Sequence, residues 1–112
     1  FPESQHGQPS LLAREQEGYR HYVIKTAGTI VGAAAVQASG RRSWIKLIAI
    51  DRSSRRQGLG RTLLDGVIAA EAHLGQRDLG LEVLADNPGA IATFESAGFH
   101  RAWTATILTG PA

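Results

Sequence analysis

One short segment, Arg55-Arg56-Gln57-Gly58-Leu59-Gly60-Arg61, constrains this chain more than any other. It stands between the most strand-like run, Trp44-Ile45-Lys46-Leu47-Ile48-Ala49-Ile50, and a stretch from Gly60 to Leu74 whose apolar residues recur at helical spacing. A strand must therefore turn into a helix across two glycines. Glycine lets the backbone turn sharply and present successive N–H groups without side-chain obstruction. The helix start adds unpaired donors and the positive end of its dipole. Arg52, Arg55, Arg56 and Arg61 flank the turn. Clustered arginines hold phosphates, coat a solvated face or bind nucleic acid, and the cluster alone does not choose among these. Two familiar glycine loops fit poorly. A Walker loop needs Gly-Lys-Ser/Thr, but Gly60 is followed by Arg61-Thr62. A dinucleotide fingerprint needs a third glycine where Leu63 stands.

The pattern around the turn gives one domain over residues 1–112, with residues 1–9 read as a flexible terminus. Ser10 caps an expected short helix that runs to Glu17 and stops at Gly18. Tyr19 to Lys25 alternates as a strand, with Tyr22 and Ile24 on one face and His21 and Val23 on the other. Thr26-Ala27-Gly28 forms a hairpin turn into a return strand, Thr29 to Gln37. The small centre of that strand, Gly32-Ala33-Ala34-Ala35, admits close approach of a backbone or a ligand. After Ser39-Gly40-Arg41-Arg42 comes the strand ending at Ile50, apolar enough to be central.

Leu63, Leu64, Val67, Ile68 and Ala70 form the stripe of the following helix, and Gly75 ends it. Leu79 to Leu84 is a further strand. Asp86-Asn87-Pro88 opens a helix that ends at Gly98, and Phe99 to Thr109 is a last strand. The order implies an α/β domain with helices flanking a mixed sheet.

Composition narrows the chemistry. The chain has no cysteine, which removes disulfides, thiolate metal sites and cysteine nucleophiles together and fits a reducing compartment. No apolar run approaches the roughly 20 residues of a membrane span, and no signal peptide is visible. With no methionine in the sequence, further residues are expected upstream of Phe1. His6, His21, His73 and His100 lack ligand spacing, so no metal site is expected. There is no Gly-x-Ser-x-Gly elbow. Trp44 and Trp103 read as core or sheet-face aromatics.

Taken as one unit, residues Leu47 to Leu64 closely resemble the main cofactor motif of the GNAT acetyltransferases. Leu81-Glu82-Val83-Leu84-Ala85-Asp86-Asn87-Pro88 through Gly98-Phe99 resembles the second motif of that family, at the expected distance. The second motif is especially similar to that of the ribosomal-protein N-terminal acetyltransferases, which share Leu-Glu-Val. The resemblance implies a mostly antiparallel mixed sheet with a central splay, shortened here at both ends. It implies acetyl-CoA as cosubstrate and a primary amine, of a small molecule or a peptide, as acceptor.

By the same resemblance, the backbone of Ile48, Ala49 and Ile50 lines the pantetheine arm, and a backbone N–H near Ile50 steadies the oxyanion. Arg55, Arg56, Gln57, Gly58, Leu59, Gly60, Arg61 and Thr62 hold the pyrophosphate, and Asn87 contacts the cofactor. Glu82 becomes the candidate general base; read by its residue type alone, it is equally a strand glutamate facing solvent. Phe94 departs from the pattern, because many members place there a tyrosine that protonates the leaving thiolate.

The lack of cysteine, of a membrane-length apolar run and of a visible signal peptide gives the expectation of a cytoplasmic setting. An exposed sheet edge implies a homodimer. Two other readings stay open on sequence: an acyl-CoA-binding module without turnover, and, less favoured, a basic nucleic-acid-binding domain.

Overall fold

The structure, a computed structural model, describes residues 10–54, 58–82, 88–101 and 107–111. Four consecutive antiparallel strands open the chain: β1 (Ser10–Gln16), β2 (Tyr19–Thr26), β3 (Thr29–Ser39) and β4 (Arg42–Ile50). A 3-10 turn at Arg52–Ser54 leads to helix α1 (Leu59–His73), then to β5 (Asp78–Glu82), helix α2 (Pro88–Ser96), β6 (His100–Arg101) and β7 (Ile107–Pro111). The sheet order is β1-β2-β3-β4-β5-β7-β6, antiparallel at every pairing except β4 with β5. The expected mixed, mostly antiparallel sheet is present, and β4 is its central strand.

Two expectations are corrected. Ser10–Gln16 is an edge strand, not a helix, and each of its residues pairs with β2. Glu17 and Gly18 both take positive φ, 55° and 82°, the two-residue turn whose twist suits a hairpin. Only Leu11 and Leu12 break a polar run here, too few to fix a period, so pairing along β2 decided. Leu11 leans on α1 at Gly66, a glycine that leaves room for it. The single last strand is likewise replaced, by β6 and β7 paired to each other, with β7 inserted between β5 and β6. Residues 102–106 between them, Trp103 among these, lie outside the described residues.

The core lies between the sheet and the two helices. Tyr22 and Ile24 from β2, Ala34 and Val36 from β3, and Ile45 from β4 meet Leu59, Leu63, Leu64 and Val67 of α1. Leu79 and Leu81 of β5 join them, with Phe94 of α2 and the following Phe99. The predicted alternation of Tyr22 and Ile24 against His21 holds: the first two are 1% exposed. Both helices end with paired backbone bonds, Gln76 N to Glu71 O with Gly75 N to Ala72 O, and Phe99 N to Phe94 O with Gly98 N to Glu95 O. This 6→1 and 5→2 pattern satisfies carbonyls that a helix end would leave bare.

Candidate active site

The site grows from the way β4 leaves its neighbour. The parallel β4–β5 ladder runs from Arg42↔Asp78 to Ile45↔Leu81 and stops there. On its other side β4 stays paired with β3 as far as Gly32↔Ile50. Among the described residues, Ile45↔Leu81 is the last pair of that ladder, and Lys46 is the first residue of β4 past it. The register with β3 shifts at the same place: Ala35 faces Leu47 and Val36 faces Ile45, so Lys46 is an extra residue. Such a bulge bends its strand and increases the local twist. Lys46 and Leu47 are both exposed. The bulge thus stands where the described β4–β5 ladder ends.

The far end of β4 meets the start of α1. Gly58 caps that helix with φ 74° and ψ 7°, a left-handed conformation that costs residues with a Cβ about 1–2 kcal/mol. Helix geometry leaves the N–H groups of Leu59, Gly60 and Arg61 without intrahelical partners, and Thr62 N is the first to bond back, to Gly58 O at 3.1 Å. Gly58 has no side chain to cap these donors, and the first turn contains no acidic residue. A helix start with a glycine cap and no acid in its first turn is a fit for an anion. Gly60 packs beside β4, where an added Cβ would lie 3.6 Å from Ile50 Cγ1.

The candidate residues sort as follows. Ile48, Ala49 and Ile50 are the last residues of β4, while Gly58, Leu59, Gly60, Arg61 and Thr62 form the start of α1. The Leu59 side chain is buried, so it offers the site its backbone. Arg61 spends its guanidinium on Asp65 at 2.8 Å and on Ser96 Oγ of α2 at 2.9 Å, and the Thr62 hydroxyl bonds to Gly58 O. Glu82 is the first residue of β5 past its ladder with β4, paired through its backbone with Ile107; its side chain lies outside the described residues. Arg55, Arg56, Gln57 and Asn87 do too. Phe94 is 6% exposed and meets Phe99 edge-on at 5.8 Å, so it serves as core. The small residues of β3 admit side chains of this chain: a Cβ on Gly32 would lie 2.5 Å from Ile50 Cδ1 and 2.9 Å from Ile24 Cγ2.

One cluster escaped the sequence reading. Glu71 of α1 is 0% exposed. Its carboxylate accepts hydrogen bonds from Arg20 Nε and Nη2, both at 2.6 Å, and from Tyr22 Oη and Ser43 Oγ, both at 2.5 Å. Burial alone would raise its pKa, but the hydrogen bonds from Arg20, Ser43 and Tyr22 outweigh that and hold it below the usual glutamate range. The Tyr22 hydroxyl is pushed up by burial and by the same carboxylate. A signal was present: Glu71 lies seven residues after Leu64 and four after Val67, a charge on the apolar stripe. Among the described residues, no three His, Asp or Glu side chains gather as a metal set.

Comparison with known proteins agrees with this geometry. The [Ribosomal protein bS18]-alanine N-acetyltransferase of Escherichia coli K12 is 34% identical over 93 residues, covering 83% of this chain and 63% of that protein. This chain therefore spans just under two thirds of the length of such relatives. The crystal structure of the Escherichia coli ribosomal-protein-S18-alanine N-acetyltransferase superposes with a TM-score of 0.79 at 32% identity, over 87% of this chain and 71% of that one. A GNAT family acetyltransferase from Elizabethkingia anophelis, solved with acetyl-CoA bound, gives a TM-score of 0.84 at 15% identity, over 93% and 98% of the two chains; this likeness is one of fold. The profile of the Acetyltransferase (GNAT) family matches residues 1–99. With the end of β4, the glycine at the N-cap and the acid-free helix start in one place, and with this family match over residues 1–99, this chain belongs to the GNAT acetyltransferase family.

Proposed function

We propose that this chain transfers acetyl from acetyl-CoA to a primary amine of a protein or peptide. The observation that carries the proposal is the junction of the far end of β4, past the last described pair with β5, with a helix start whose N-cap is glycine and whose first turn has no acid. An extended amide-bearing arm pairs with such an edge as another strand would, while a pyrophosphate suits the helix N-terminus. Pantetheine and pyrophosphate are joined in coenzyme A in that order. The backbone of Ile48, Ala49 and Ile50 is assigned to the arm. The turn from Arg55 to Thr62 is assigned to the pyrophosphate, and Asn87 to a further cofactor contact.

In the proposed reaction the neutral amine nitrogen attacks the thioester carbonyl carbon. The C–S bond breaks, coenzyme A leaves as thiolate, and the amine proton passes to Glu82, directly or through a water. The place of Glu82 on β5, one residue past its last described pair with β4, supports this role. Phe94 donates no proton. A thiol of pKa about 8.5 is a workable leaving group near neutrality, so the reaction proceeds without that acid at a lower rate. A protein amine is favoured as acceptor by the likeness to enzymes named for ribosomal protein bS18. The proposal extends to a cytoplasmic homodimer, supported by the absence of cysteine and by the exposed edge strand β1.

Calorimetric titration with acetyl-CoA tests the cofactor site, alongside an Arg56→Glu and Gly58→Asp double variant. Micromolar binding that the variant loses supports the reading, and a peptide with N-terminal alanine then tests turnover. No binding by the unmodified chain would sink it.

A further inference from the structure

The two halves of the proposed site sit on different elements. The arm lies along β4, and the pyrophosphate cradle is the N-terminus of α1. A ligand that spans both requires α1 to hold one rotation and one axial position relative to β4. Most of the α1 contact with the sheet is made by Leu59, Leu63, Leu64 and Val67. Apolar contact of this kind is non-directional and tolerates repacking.

Glu71 is different. It supplies α1 with side-chain hydrogen bonds to two strands, reaching Arg20 and Tyr22 on β2 and Ser43 on β4. Gln76, just past the helix, adds bonds from Nε2 to Ser43 Oγ and to Arg42 O, each at 3.0 Å. The Glu71 backbone carbonyl also closes the helix end by accepting from Gln76 N. The tie is made on the same two elements, α1 and β4, that carry the site at their other ends. A buried ion pair is weak evidence for stability, since apolar replacements of similar volume are often neutral or better. What it supplies is direction.

We propose that Glu71 is a positioning residue for acetyl-CoA. Its bonds to Ser43 and β2 set the register of α1 against β4, so that the N–H groups of Leu59, Gly60 and Arg61 stand at the right distance from the β4 edge. The inference rests on the acetyl-CoA reading above. It predicts that loss of the tie weakens ligands that span both elements and spares ligands that touch only the cradle.

The test compares acetyl-CoA with 3′-phospho-ADP, the part of coenzyme A without its pantetheine arm. A triple variant, Glu71→Leu with Arg20→Met and Tyr22→Phe, removes the directional bonds of the Glu71 side chain and leaves no buried charge unpaired. Ser43→Ala is a milder second variant that removes the Glu71 bond to β4 and leaves the Gln76 bond to Arg42 O in place. Both are assayed by calorimetry at a temperature where near-UV circular dichroism shows native packing. The expected result is acetyl-CoA affinity about tenfold weaker in the triple variant and about threefold weaker in Ser43→Ala, with 3′-phospho-ADP within twofold of wild type. Folded variants with unchanged acetyl-CoA affinity would overturn the inference, and so would equal weakening of both ligands. Failure of the wild-type chain to bind either ligand would overturn the acetyl-CoA reading, and this inference with it.

Discussion

Gly32→Ala tests the packing that supports the far end of β4. Gly32 faces Ile50 across the β3–β4 ladder. An added Cβ would lie 2.5 Å from Ile50 Cδ1, 2.9 Å from Ile24 Cγ2 and 3.0 Å from Ala49 O. Two of these neighbours are side-chain ends that turn aside, but the third is backbone. Overpacking of this kind costs about 1–3 kcal/mol. Replacing glycine at ordinary φ returns about 0.4–1 kcal/mol by restricting the unfolded chain. Taken at the middle of both ranges, the net loss is about 1 kcal/mol, a Tm lower by about 4–8 °C for a domain near this size.

The strain is directed at Ile50, which also packs beside Gly60, so acetyl-CoA affinity falls with stability. Ile50→Val removes the nearest atom. Alone it costs about 0.5–1.5 kcal/mol, yet combined with Gly32→Ala it relieves the clash. Denaturant unfolding of the two single variants and the double variant closes the cycle. The double variant is expected to be more stable than the sum of the singles by about 1 kcal/mol. Additive effects, or a Gly32→Ala variant as stable as wild type, would refute this account of the packing.

The Glu71 carboxylate is held below its usual range, so the unfolded chain binds that proton more readily than the folded one. Its contribution is complete above the unfolded value of about 4.3 and is lost as pH falls through the lower folded value. Urea midpoints measured between about pH 6 and about pH 3 should fall more steeply in wild type than in the Glu71→Leu, Arg20→Met, Tyr22→Phe variant. Parallel slopes would remove Glu71 from the acid response. Phe94→Ala should cost about 3–5 kcal/mol, because the ring is buried against Phe99. A loss below about 1 kcal/mol in denaturant unfolding would show that it is not a core residue.

Most of the architecture was legible in the sequence, because local patterns and tertiary packing agreed. The strands at β2, β3 and β4, the stripe of α1 and the helix end at Gly98 are all places where periodicity and turn chemistry point the same way. The glycine turn was legible for the same reason: a backbone conformation and a run of N–H donors follow from residue type and from place between strand and helix. Ser10–Gln16 departs from the expected helix, since a short segment with little periodicity takes its form from the strand beside it; the expected strand over 99–109 is divided into β6 and β7, because the pairing of one part with the other is not written in its alternation. The bulge at Lys46 could not be read from the run 44–50, because a bulge is a relation between two strands. Glu71 shows the limit most sharply. Its position on the apolar stripe marked it as unusual, but Arg20 and Ser43 lie 51 and 28 residues away in sequence. What the sequence determined by itself was the elements and the backbone chemistry of the helix start. Only the tertiary structure decided where β4 and β5 part and which distant side chains neutralise a buried charge, since both depend on contacts that no local pattern encodes.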